Sequence, residues 1–122
     1  KGFRPIKTFL GTLDGDDGLG GTYTISHLYI NRPTEDSVGL FGVSDNATLT
    51  NFTLADSDIT GNQYVGSITG YATNGTMDNV HAINGDLEGK GNTVGGLIGY
   101  KNNIVFTNNS FSGNVLGLTN TG

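Results

Sequence analysis

Residues 92–100 read NTVGGLIGY, residues 63–71 read QYVGSITGY, and SVGLFGV at 37–43 is a third copy, one residue shorter inside the motif. Aligned on the last glycine of each, Gly42, Gly70 and Gly99 stand 28 and 29 residues apart. The agreement runs past the glycines. TLTNFTL (48–54), TMDNVHA (76–82) and VFTNNSF (105–111) follow at equal distances and place Asn51, Asn79 and Asn108 in one column. Further on, SDITG, GDLEG and GNVLG align Ile59, Leu87 and Val115. Upstream, TISHLYI (24–30) fits the same frame, with His27 in the asparagine column.

A period of this length, built from short alternating apolar segments between Gly and Asn, signals a repeat architecture in which each unit buries its apolar edge against the next. No segment has helical length or period, so helical arrays and leucine-rich horseshoes fit poorly, and propeller blades need about 40 residues or more. Three short strands separated by bends match one turn of a parallel β-solenoid. The expected fold is therefore all-β, a right-handed parallel β-helix of about four coils of 28–29 residues. The handedness follows from the general preference of parallel crossovers.

Equivalent residues in such a coil stack about 4.8 Å apart. One inward row is expected from Ile25, Leu49, Met77 and Phe106, a second from Leu28, Phe52 and Val80, a third from Ile30, Leu54, Ala82 and Phe111, and a fourth from Val38, Val65 and Val94. Asn109 interrupts the second row. Thr50, Asp78 and Thr107, and Thr53, His81 and Ser110, alternate with these and face water. Asn51, Asn79 and Asn108 suit sharp bends, because asparagine tolerates the left-handed backbone and its amide can bond to the amide one coil away. The motif glycines (Gly39, Gly66, Gly95, Gly96) sit where the chain turns tightly or another backbone comes close.

Composition narrows the function. The chain has 122 residues, 21 of them glycine, no cysteine, and six basic against eleven acidic residues for a net charge of −5. That balance argues against a nucleic-acid partner. Without cysteine there is neither a disulfide framework nor a thiolate metal site. No apolar run approaches the roughly 18–20 residues that cross a bilayer, so membrane insertion is not expected. The abrupt entry at KGFRPIKTF suggests a piece of a longer protein, organised as one solenoid domain over 1–122 with an atypical first coil (1–37) and repeats at 38–64, 65–93 and 94–122.

The stretches VGLFG, YVGSITGY and VGGLIGY, each followed by an Asn-centred strand, resemble the GLUG motif repeats of large bacterial surface and secreted proteins. PIKTFLGTLDGDDGLGGTYTISHLYI is similar to the segment that commonly precedes those repeats. The resemblance covers almost the whole chain and implies an extracellular or cell-surface β-helical region, while saying little about activity. Ser67 and Thr69 depart from the motif in the middle copy, and the last coil stops soon after Val115.

Candidates for chemistry are sparse. Asp14, Asp16 and Asp17 can offer oxygens to calcium but lack the bidentate Glu of a full loop, and a turn with solvated acids is the plainer reading. Asp56, Asp58, Asp86 and Glu88 read as a solubilising edge. His27 and His81 fall in different columns, so spacing supports neither a histidine metal pair nor a Ser/His/Asp arrangement. No cluster of acids or bases suits polysaccharide cleavage, and no enzyme and no cofactor is expected. Tyr71 and Tyr100 are one period apart, with Tyr64 nearby: they form either a stabilising ladder or an aromatic platform for sugar rings. Asn46, Asn51, Asn74 and Asn108 begin N-x-S/T triplets, and Asn46 and Asn74, placed in turns, are the glycosylation candidates. The mixed outward columns do not suit ice binding.

The expected role is a structural or adhesive segment that associates with itself end to end into a fibre, or with neighbouring domains of its own protein. A host or matrix glycan or protein is a further possible partner. The alternative is a carbohydrate-binding module built on the tyrosines.

Overall fold

The computed structural model describes residues 2–91 and 93–117. Lys1, Asn92 and residues 118–122 of the last expected repeat lie outside the described residues. The described chain is built from strands: β1 (Ile6–Phe9), β2 (Thr12–Asp14), β3 (Tyr23–Ser26), β4 (Tyr29–Asn31), β5 (Phe41–Ala55), β6 (Asp58–Gly61), β7 (Thr69–Gly89), β8 (Ile98–Asn102), β9 (Val105–Thr107) and β10 (Ser110–Leu116). Every pairing between these strands is parallel. They stack in four layers, β1–β4, β5–β6, β7 and β8–β10, so the chain makes about three full turns of a β-solenoid. That is slightly fewer than the four coils expected.

β7 has 21 residues and, if straight, would be about 69 Å long at ~3.3 Å per residue. It is folded instead at corners. Among the described residues, twelve non-glycine residues have φ between 53° and 66°. The strand register sorts all twelve into four columns: Asn46–Asn74–Asn103, Asn51–Asn79–Asn108, His27–Asp56–Asn84 and Ser37–Tyr64–Thr93. Each column is a left-handed corner of the coil. Two successive corners lie five residues apart (46, 51, 56 and again 74, 79, 84), and the third residue after each points inward: Leu49, Leu54 and Ile59, then Met77, Ala82 and Leu87.

The core is the axial stack of these residues. Leu49, Leu54, Ile59, Met77, Ala82, Val38 and Val65 are fully buried. The motif glycines Gly39, Gly66 and Gly99 do not carry positive φ; they admit neighbouring backbone. A Cβ on Gly39 would stand 2.6 Å from the carbonyl oxygen of Gly66, and one on Gly99 would stand 2.6 Å from that of Gly70.

The first layer corrects the expected rows. Leu13, not Ile25, pairs with Leu49; Ile25 pairs with Leu54 and Ile30 with Ile59. Tyr23 stands opposite Phe52, where Leu28 was expected. His27 leaves the Asn51 column and takes the corner beside Asp56. The cause is an insertion: the register offset falls from 36 at Leu13–Leu49 to 29 at Ile25–Leu54, so seven extra residues loop out between β2 and β3.

Candidate functional site

The outer surface is a lattice of polar side chains tied between layers. Asn79 donates from Nδ2 to Oδ1 of Asn51 (3.0 Å), and Asn51 donates onward to Asp14 (3.0 Å). Asn108 breaks the expected asparagine ladder, donating to Asp78 Oδ1 (3.1 Å) instead of to Asn79, and Thr107 Oγ1 donates to the same oxygen at 2.7 Å. Asn109, the residue that interrupts an apolar row, is used: its Oδ1 accepts from Val80 N and its Nδ2 donates to Met77 O. At other corners Asn84 donates to Asp56 (2.8 Å) and Asn103 to Asn74 (2.7 Å). Asn51 holds the Asp14 carboxyl below its ordinary range, as Thr107 and then Asn108 do for Asp78.

The acidic loop does not gather its carboxylates. Asp14 Oδ1 accepts from Asp16 N, Asp16 Oδ1 from Gly18 N, and Asp17 Oδ1 from both Leu19 N and Gly21 N. They act as turn acceptors, and among the described residues no three His, Cys, Asp or Glu side chains converge as a metal would require. Of the glycosylation candidates, Asn46 is exposed, whereas the Asn74 amide is part-buried and bonded to Thr73 and Asn103.

Register and side-chain reach bring Asn79, His81 and Ser110 into contact. His81 Nδ1 lies 2.7 Å from Ser110 Oγ, and His81 Nε2 lies 2.9 Å from Asn79 Oδ1. The signal was the 29-residue step from His81 to Ser110, read only as an outward column. A hydrolytic triad puts its serine on Nε2 and a carboxylate on Nδ1, whereas here Ser110 is on Nδ1 and an amide, not a carboxylate, is on Nε2.

The aromatic group is the other cluster. Tyr71 and Tyr100 stack at 4.9 Å with 25° between their planes, and Tyr64 meets both edge-on at 5.4 and 6.0 Å. One face of Tyr71 is thereby covered, and the accessible ring is Tyr100, 40% exposed. Beside it, Lys101 Nζ lies 5.3 Å over the Phe106 ring.

No family model and no solved structure matches the chain. It is similar to part of Halomucin from Haloquadratum walsbyi, 44% identical over 106 residues, a match covering 80% of this chain and 1% of Halomucin. The chain therefore spans about one hundredth of that relative's length, and what the two share is a segment.

Proposed function

We propose that the chain is a structural segment of a surface or secreted protein, acting as a stiff spacer and contact surface without catalysis. The observation that carries this reading is where the polar side chains go. Asn51, Asn79, Asn84, Asn103, Thr107 and Asn109 spend their hydrogen bonds on the neighbouring layer. A surface organised to hold its own layers together resists bending and leaves few groups free to act on a substrate. The Ser110–His81–Asn79 chain fits the same pattern, as a tie between the third and fourth layers. Similarity to a segment of a protein named Halomucin supports the extracellular setting, and so does the GLUG-like pattern. In this role the ends of the solenoid are where neighbouring units meet. The test is antibody labelling of source cells: the reading expects signal on intact cells or in the medium, and signal only after permeabilisation overturns it.

A second reading, carbohydrate contact, draws on the exposed ring of Tyr100 backed by Tyr71 and Tyr64. Glycan-array binding that disappears in Tyr100→Ala supports it, and a blank array removes it.

A further inference from the structure

We propose that Tyr71 and Tyr100 form an oxidative cross-linking site, at which an external one-electron oxidant closes a carbon–carbon bond between the third and fourth layers. Such a bond goes beyond the structural reading and is open to the tyrosines whether or not they also touch sugar. It lies inside the chain, so it does not depend on what surrounds the described residues.

Composition limits where oxidation can go. The chain has no cysteine, no tryptophan and one methionine. Thiol and thioether sulfurs are the usual targets of oxidants, and here the single thioether, Met77, is fully buried. That leaves the five tyrosines as the side chains that yield an electron most readily. Tyr23 and Tyr29 are 63% and 48% exposed, yet neither ring packs on another ring among the described residues. Exposure favours those two, and proximity favours the other three.

The glycine motif builds that proximity. Tyr71 and Tyr100 each follow the closing glycine of a motif and stand opposite each other in the β7–β8 register. A Cβ on Gly70 would overlap the Tyr64 carbonyl oxygen, and one on Gly99 would stand 2.6 Å from the Tyr64 carbonyl carbon. With no side chain at either position, the left-handed corner at Tyr64 packs directly against both strands. Three phenol rings result, with Tyr64 edge-on to its two neighbours at 5.4 and 6.0 Å. The 71–100 pair alone is stacked, at 4.9 Å and 25°, close to the ~4.8 Å strand spacing. Stacking in parallel register sets like edges of the two rings side by side, and the new bond forms between those edges.

Each phenol gives one electron to the oxidant and its hydroxyl proton to water. The two phenoxyl radicals then pair in a carbon–carbon bond ortho to the oxygens, and the hydrogens on those two carbons move to the oxygens and restore both phenols. The chain loses two hydrogens and the oxidant gains two electrons. Tyr64 touches both rings, so a radical formed first on Tyr64 passes to the stacked pair and ends in the same bond. Because the partners are already in contact, coupling is unimolecular and outpaces coupling between chains.

The test is photo-oxidation of the folded 122-residue chain in dilute solution, with a ruthenium tris-bipyridyl sensitiser and persulfate as the electron acceptor. The expected product runs as a monomer on a denaturing gel, is two hydrogens lighter, shows dityrosine fluorescence, and yields one cross-linked peptide pair joining Tyr71 to Tyr100. Its urea midpoint rises, because the bond restricts the unfolded chain. Tyr71→Phe and Tyr100→Phe keep the far-UV spectrum and each lowers the intramolecular yield roughly tenfold, as does oxidation in urea, where the rings are no longer held together. Replacing Tyr23 and Tyr29 together by phenylalanine leaves the yield unchanged. An unlinked chain, a bond through Tyr23, Tyr29 or Tyr64, a product formed only between copies, or equal yields from folded and unfolded chains overturns the proposal.

Discussion

Asparagine does at the corners of this solenoid what glycine does in most tight turns. An L-residue with a Cβ pays about 1–2 kcal/mol in the left-handed region, and asparagine recovers part of that through its short polar side chain. Asn79 sits at φ 57° and bonds to both Asn51 and His81. Asn79→Ala is expected to lose about 2–3 kcal/mol of stability, part of the backbone cost plus its two side-chain hydrogen bonds. Asn79→Gly, which keeps the conformation and loses only the amide, is expected to lose about 1 kcal/mol less, and urea melts of the two variants check the difference. The depressed carboxyls Asp14 and Asp78 make stability sensitive to acid. Their folded pKa lies below the unfolded one, so their contribution is present above about pH 4 and is lost as pH falls through the folded value. Asp78→Asn should flatten the fall in stability as pH drops below about 4, read from denaturation midpoints over a pH series.

At the scale of the elements, packing decides which positions matter. Met77 and Phe106 share a column, yet among the described residues Met77 has a layer on each side and Phe106 a layer on one side only. Met77→Ala is expected to cost about 2–5 kcal/mol and Phe106→Ala about 1–2 kcal/mol. The middle glycine motif carries two polar departures with opposite outcomes. Ser67 Oγ donates to Gly96 O at 2.7 Å, whereas the buried Thr69 hydroxyl has no partner among the described residues. Thr69→Val is therefore expected to stabilise by about 1 kcal/mol, measured by thermal or urea unfolding, since it keeps the shape and removes an unpaired polar atom. Much of this was legible in the sequence, because the 28- and 29-residue steps fix the register of the second, third and fourth layers wherever the spacing is unbroken. The first layer was not legible. TISHLYI alternates like the other strands, so a seven-residue slip leaves its pattern intact and only the Asp14-to-Tyr23 loop reveals it. The five-residue spacing of corners was visible at Asn46, Asn51 and Asp56 but lay hidden under the longer period. The Ser110–His81–Asn79 contact depends on side-chain reach as well as register.

For the molecule as a whole, the claim on which the rest depends is that residues one period apart are bonded neighbours in parallel strands. Rows of like residues and tied corners both follow from that stacking, because each layer uses the one before it as a template and the next layer uses it in turn. The most direct measurement is a nuclear Overhauser map of the isotopically labelled chain in solution. The structure predicts backbone contacts between Thr50 and Asp78, Phe52 and Val80, and Met77 and Phe106, each 28 or 29 residues apart and all with parallel directionality. A map in which these pairs are silent, or in which the strands pair antiparallel through local hairpins, would contradict it.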